Sequence, residues 1–199
     1  MQQLNVDDAP AESLIPELED YRRQVEAIKR DAGDLLRGLS EEQFNWRQDA
    51  GRWSIAECLT HLNVTGNLYI PVIEKGIERG RARRRLSKGP FKYGWFGNAF
   101  VRSAEPPVKI YVKAPKAFVP PPDQPMDSVV PEFFQIQERL LACVRAANGV
   151  DLARVKIQSP AWRWVRLSLG RGLALMPAHE RRHLWQARYV KDDPNFPNS

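Results

Sequence analysis

The apolar residues of this chain recur at spacings of three and four over four separate stretches, which is the period of helices that bury one face. The pattern predicts helices at about 11–38, 54–79, 127–147 and 168–190. The apolar stripe of the first helix consists of Leu14, Leu18, Tyr21, Val25, Ile28, Ala32, Leu35 and Leu39. Four amphipathic helices of this length predict an all-α fold, a four-helix bundle.

Two short motifs predict where helices begin. Ser54 and Glu57 have the S-x-x-E spacing of a capping box, in which each side chain accepts a hydrogen bond from the other residue's backbone N–H. Ser40 and Gln43 have the same spacing and predict a short helical turn after the first helix. Pro71 lies inside the second predicted helix. Because proline lacks a backbone N–H, it predicts a kink or a change of register there.

Between about 80 and 126 the helical period disappears, so a long crossover joins the second and third helices. A basic run at 79–88 leads into a glycine-punctuated aromatic segment, and a proline-rich segment follows whose one extended candidate runs from Lys109 to Lys113. The aromatic segment contains Phe91, Tyr93, Trp95, Phe96 and Phe100. Connections of this length are more often functional or interface-forming than idle, and burial of these rings would order the loop. The crossover is therefore predicted to pack on the bundle or on a neighbouring chain.

The last helix contains HERRH at 179–183, a match to the H-E-x-x-H motif of zinc peptidases. Its apolar stripe places His179 and His183 on the inward face, where residues four apart rise by about 6 Å and can converge on one ion. The remaining histidine, His61, lies beside the inward stripe of the second helix. The three histidines are therefore predicted to form a three-nitrogen metal site with an open fourth position.

Simpler interpretations exist for these residues. A buried histidine is often a hydrogen-bonded core residue, Glu57 can act only as a helix cap, and Cys58 lies on an apolar stripe. The peptidase interpretation fails on spacing. No His or Glu follows His183 to supply a third ligand, and the chain has almost no strand pattern that could align an extended substrate.

Composition narrows the function classes only in part. With 199 residues, 43% of them hydrophobic, the chain is predicted to form one domain spanning 1–199. The net charge of +6 fits an anionic ligand, nucleic acid or plain solubility, and the basic run lacks a recognised nucleic-acid-binding module. The sequence shows neither a signal peptide nor a membrane span, which predicts a soluble, cytoplasmic protein. Cys58 and Cys143 are predicted to be reduced, buried thiols.

Two segments more than a hundred residues apart, WSIAECLTHLNVTG at 53–66 and HERRHLWQARYV at 179–190, resemble the DinB-like superfamily of four-helix proteins. That superfamily includes bacillithiol- and mycothiol-dependent enzymes, and the resemblance spans nearly the whole chain. It implies a divalent metal such as zinc or nickel at the positions that match the family's motif, His61, His179 and His183. The Pro-rich aromatic crossover and Pro177 depart from the family's common pattern, and these departures leave the substrate undetermined.

Three hypotheses of function follow, of which the third is nucleic-acid binding through the basic run at 79–88. The first is a metal-dependent enzyme acting on a small molecule, either an S-transferase that uses a low-molecular-weight thiol or a hydrolase. In it the crossover covers the open position, and Lys92, Arg102 and Lys109 supply positive charge to an anionic substrate or thiol. The second is a non-catalytic binding or interaction protein whose metal is structural.

Glu180 is the candidate catalytic residue, because it follows His179 on the same helix and could act in proton transfer or behind the metal ligands. The alternative role is a surface partner of Arg181. The aromatic crossover also makes a homodimer the expected assembly.

Overall fold

Four long helices form the body of the computed structural model, which describes residues 13–107, 114–162 and 164–198. They are α1 (Pro16–Leu36), α3 (Ile55–Ala82), α5 (Met126–Ala146) and α6 (Leu169–Lys191). Two shorter helices, α2 (Glu41–Asn45) and α4 (Trp95–Ser103), and a 3-10 helix, η1 (Lys116–Phe118), lie in the connections. A two-stranded hairpin, β1 (Lys156–Gln158) and β2 (Arg166–Ser168), precedes α6. The all-α four-helix prediction is confirmed.

Both predicted capping boxes are present. Ser40 accepts a hydrogen bond from the backbone N–H of Gln43 at the start of α2, and Ser54 accepts one from Glu57 at the start of α3. In each case the side chain at the third helical position accepts from the cap residue's N–H in return, so two otherwise unpaired donors are satisfied. The capping box at Ser54 fixes the start of the helix that carries His61.

Helix α3 runs without interruption through Pro71 and continues to Ala82. It also packs against both α5 and α6, and α1 packs against the same two helices. α3 approaches α5 closely at Gly66, where a Cβ atom would lie 2.4 Å from Cγ2 of Ile136. Since α3 and α6 are neighbours, histidines on their facing sides can meet inside the bundle.

The hairpin is a feature that the sequence analysis did not predict. β1 and β2 pair antiparallel, with Ile157 opposite Leu167, and Ile157 is buried between α3 and α6. A Cβ atom at Gly172 of α6 would lie 2.3 Å from Cδ1 of Ile157, so the helix can approach the strand closely only with glycine there. Strands of three residues are too short to produce a recognisable alternation of apolar and polar residues.

The crossover is more regular than predicted, since it contains α4 and η1. Phe91, Tyr93 and Phe100 pack against the core, as expected. Trp95 and Phe96, however, are 83% and 57% exposed, so these two rings do not pack on the bundle. They lie in the first turn of α4, a nine-residue helix without any fully buried residue. The extended candidate from Lys109 to Lys113 lies outside the described residues.

Two smaller expectations concern thiols and membranes. Cys58 and Cys143 are both free and buried, as predicted. None of the helices in the described ranges combines the length and apolar character needed to cross a bilayer.

Candidate metal centre

Three imidazoles from two helices converge inside the bundle. His61 comes from α3, whereas His179 and His183 lie one turn apart on α6. One ring nitrogen from each lies within 4.8 Å of those of the other two. The Nε2 atoms of His61 and His179 are 2.9 Å apart, and the ring centroid of His183 is 4.5 Å from that of His61 and 4.6 Å from that of His179. The arrangement could hold one divalent ion.

Hydrogen bonds orient two of the rings. Nδ1 of His61 lies 2.6 Å from the carbonyl oxygen of Phe118, and Nδ1 of His183 lies 3.1 Å from Oε1 of Gln186. Both oxygens accept, so each Nδ1 carries the proton, and Nε2 of the same neutral ring keeps its lone pair. Histidines that bind metals typically donate their other N–H to a carbonyl in this way. The donor set therefore fits a metal ion.

Burial keeps the three rings neutral. Loss of solvent lowers the pKa of His61, lowers that of His179 to about 3, and lowers that of His183 well below its usual range. The neighbouring histidines lower the pKa of His179 and His183 further, and the positive charge of Arg182 acts on all three. Neutral imidazoles present lone pairs rather than protons, which is the state that binds metals.

Aromatic and loop residues enclose the cluster on the side of His61. The Trp53 ring stacks on His183 with its centroid 5.7 Å away, and it lies 5.0 Å from the ring of His61. Phe118 of η1 is buried, with its ring 6.4 Å from that of His61. The proline-rich end of the crossover therefore contacts the site directly. His179 is the least buried of the three histidines.

Glu180 is not a surface residue. It is 1% exposed, and its Oε1 accepts a hydrogen bond of 2.9 Å from Nε2 of Gln137. Burial raises the pKa of its carboxyl group to about 7. The alternative role as a surface partner of Arg181 is wrong, since Arg181 forms its ion pair with Glu105. Within the described ranges, the group suited to a metal ion consists of the three histidines and does not include Glu180.

The other nearby candidates have structural roles. Glu57 completes the capping box of α3 and forms an ion pair of 2.7 Å with Arg47. Cys58 is completely buried, and this burial raises the pKa of its thiol. Of the crossover cations expected at the site, Lys92 and Arg102 are exposed, and Lys109 lies outside the described residues.

Some contributors to the site were not predicted as such. Gln186 had a detectable signal, because it lies on the apolar stripe of α6 three residues after His183. Trp53 also had a sequence signal, the Trp-Ser pair that precedes α3, although this pair does not show that the ring stacks on a histidine. The carbonyl of Phe118 had none, since any residue can offer a main-chain oxygen from a loop.

Comparison with known families adds an independent observation. The model of the DinB superfamily matches residues 24–187, a span that includes all three histidines. The chain belongs to the DinB superfamily. No curated protein and no solved structure matches it. In this DinB-superfamily chain the HERRH motif lies on the last helix of a bundle, with its two histidines facing the third on α3.

Proposed function

We propose that this DinB-superfamily chain is a metal-dependent enzyme that activates a nucleophile at His61, His179 and His183, as either a thiol-dependent S-transferase or a hydrolase. The observation that carries the proposal is the all-imidazole donor set, held neutral by burial and oriented by Nδ1 hydrogen bonds. Three neutral ligands leave the full charge of a divalent ion uncompensated, and such sites with an open position are typical of catalytic centres.

Zinc and nickel are the metals proposed, because imidazole nitrogen suits both. When bound, such an ion supplies a Lewis acid that lowers the pKa of a coordinated water or thiol toward neutrality.

The chain's own residues define the surroundings of that chemistry. Phe118 and Trp53 restrict access of water from the His61 side. Arg182 adds a positive charge that reaches all three histidines and so favours an anionic nucleophile or substrate near them. The small-molecule substrate is therefore proposed to carry negative charge or to develop it during reaction.

Metal analysis of untagged protein tests the site. We expect about one divalent ion per wild-type chain, and loss of most of it in His61→Ala and in His183→Ala, since each removes a ligand. The control is Cys58→Ala, which disturbs the same helix one turn before His61 without removing a ligand and should keep its metal. Occupancy should fall below about pH 6 as protons compete for the imidazoles. Stoichiometric metal in the histidine variants would exclude the site.

Activity assays test the enzyme. Metal-loaded protein is incubated with a small electrophile, with and without a low-molecular-weight thiol, and with activated esters and amides. Thiol-dependent turnover indicates a transferase, and thiol-independent hydrolysis indicates a hydrolase; both should disappear in His183→Ala. A chain that holds one metal ion and turns over none of these substrates would instead be explained by the alternative, a non-catalytic metal-containing binding protein.

A further inference from the structure

A basic cavity lies away from the histidines, where the end of α3 meets the hairpin. It has a volume of about 300 Å³, and none of the three histidines lines it. Among the described residues that line it, five are cationic and none is acidic. The cationic residues are Arg79, Arg83, Arg85, Lys156 and Arg166. Its remaining walls include Val155 and Ile157, both of which are buried in the core.

No carboxylate of the described residues pairs with the positive charge of this cavity. Across 13–107, 114–162 and 164–198, none of the five cations forms an ion pair with a carboxylate. Asp151 is an acid close in sequence to Lys156, and it approaches Arg154 to 3.8 Å. Neither Asp151 nor Arg154 lines the cavity. Five like charges around a small volume repel one another, and a bound anion would remove that repulsion.

Stabilisation of a helix end explains only part of the cluster. Arg79 and Arg83 lie at the carboxyl end of α3, where positive side chains offset the partial negative charge of the last carbonyls. Lys156 and Arg166, however, come from the hairpin, where no helix ends. Their convergence with the arginines of α3 therefore requires another reason.

Backbone contacts hold two of the guanidinium groups in place. Arg79 donates from Nη2 to the carbonyl of Lys156 over 3.2 Å, and Arg85 donates from Nη1 to the carbonyl of Arg154 over 3.3 Å. A guanidinium has five N–H donors, so each of these groups keeps others for a ligand. Planar pairs of donors match the oxygens of phosphate groups.

We propose that this cavity binds a small, multiply charged anion of the phosphate class, such as pyrophosphate or a phosphorylated metabolite. The volume lies at the lower end of the range of small-molecule sites, which is about 300–1,000 Å³. Nucleic acid is disfavoured because the described lining residues include no aromatic ring on which a base could stack. The assignment depends neither on a metal ion nor on the proposed reaction.

Isothermal titration of the full chain with pyrophosphate tests this site. We expect saturable binding with one ion per chain. Arg83→Gln and Arg166→Gln, one from each wall, should each weaken binding about tenfold or more, because each loses a charge-assisted contact. Arg30→Gln is the matched control, since it removes the same charge from an exposed position on α1 and should change affinity less than about twofold. Thermal unfolding would establish that all three variants fold.

Two further measurements can overturn the assignment. Pyrophosphate could bind a metal ion instead, so His183→Ala should bind it as tightly as the wild type, and loss of binding in that variant would refute the cavity site. A single-stranded oligonucleotide should not compete at physiological salt. Failure to detect pyrophosphate binding at millimolar concentration, equal weakening in Arg30→Gln, or tight oligonucleotide binding that pyrophosphate does not displace would each overturn the proposal.

Discussion

The three histidines are removed from water when the bundle folds, and this burial links their protonation to the stability of the metal-free protein. Burial lowers the pKa of each ring below its usual value of 6.5, so the unfolded chain binds protons near pH 6.5 and the folded chain only at lower pH. Each ring therefore destabilises the fold as pH falls below 6.5, by up to about 1.4 kcal/mol per pH unit. Glu180 acts in the opposite direction, because its folded pKa is raised to about 7.

Metal-free protein should accordingly lose stability on acidification. Between pH 6.5 and 5 the three rings outweigh the single carboxyl group, so the free energy of unfolding should decrease as pH falls. Urea unfolding of the metal-free protein at pH 7, 6 and 5 measures this free energy. His183→Leu, which removes one titrating group, should show a weaker dependence. A free energy of unfolding that stays constant or rises toward pH 5 in the wild type would contradict the burial of three neutral rings.

Substitution of Glu180 separates its stability role from any catalytic one. Its stabilising contribution is complete below the unfolded pKa near 4.5 and is lost as pH rises toward 7, because the charged carboxylate must then stay buried. Within the described part of the chain, Oε2 of Glu180 has no hydrogen-bond partner. The free energy of unfolding of Glu180→Gln minus that of the wild type should therefore be larger at pH 8 than at pH 5. The predicted difference is on the order of 1–3 kcal/mol.

The same variant tests proton transfer. If Glu180 moves a proton in the reaction, Glu180→Gln keeps its metal and loses most of its turnover, since an amide cannot act as a general acid or base at neutral pH. Unchanged turnover together with the stability shift would assign the residue to the core alone. Metal content is measured in parallel, so that loss of the ion is not mistaken for loss of a catalytic group.

At the scale of single elements, the long helices and their starts could be predicted because their signals are local. Ser54 and Glu57 lie three residues apart, and the stripe of α6 repeats over six turns. α4 and the hairpin could not be predicted, because a helix of nine residues and strands of three contain too few repeats of the apolar pattern to be distinguished from a loop. That Trp95 and Phe96 do not pack on the bundle could not be predicted for a related reason: the face of a short helix that meets the bundle depends on contacts distant in sequence.

Two helical glycines illustrate what the sequence leaves undetermined. Gly66 of α3 and Gly33 of α1 both lie inside helices, where alanine is intrinsically favoured by about 1 kcal/mol. At Gly66 an added methyl would lie 2.4 Å from Cγ2 of Ile136, whereas nothing lies within 4 Å at Gly33. Gly66→Ala should therefore destabilise the protein by about 1–3 kcal/mol through overpacking. Gly33→Ala should stabilise it by up to about 1 kcal/mol. Equal effects of the two substitutions on chemical unfolding would contradict this packing of α3 on α5.

At the scale of the whole molecule, the crossover contacts both the histidine cluster and the outer side of α6. Its carbonyl at Phe118 orients His61. Its helix α4 is fastened to α6 by arginines: Arg171 bonds Oδ1 of Asn98 over 3.2 Å, and Arg182 bonds the carbonyl of Ser103 over 3.2 Å. The sequence predicted that this segment would be ordered, through its aromatic rings. The arginine contacts could not be foreseen, since they join residues more than seventy positions apart.

These contacts predict that trypsin cuts the crossover slowly. Arg181 donates from Nε to Glu105 over 2.9 Å in a two-bond ion pair, so Glu105→Gln should weaken the attachment and speed cleavage between Arg79 and Lys116. Glu138→Gln is the matched control, because its partner Lys29 lies on α1 and the crossover is not involved. Rapid cleavage of metal-loaded wild type within the crossover, with the bundle left intact, would show that the segment is a loose linker.

The conditions that alter this resistance distinguish the two roles proposed for the crossover. Resistance that increases when metal is added supports a cover over the histidines, because an ion fixes His61 and His61 holds Phe118. Resistance that increases with protein concentration supports a homodimer, in which the exposed rings of Trp95, Phe96 and Trp164 would lie at the interface. Sedimentation of Trp95→Ser at the same concentrations provides the check: a dimer built on this surface should dissociate, whereas a cover over the metal centre should leave the assembly state and the metal content unchanged.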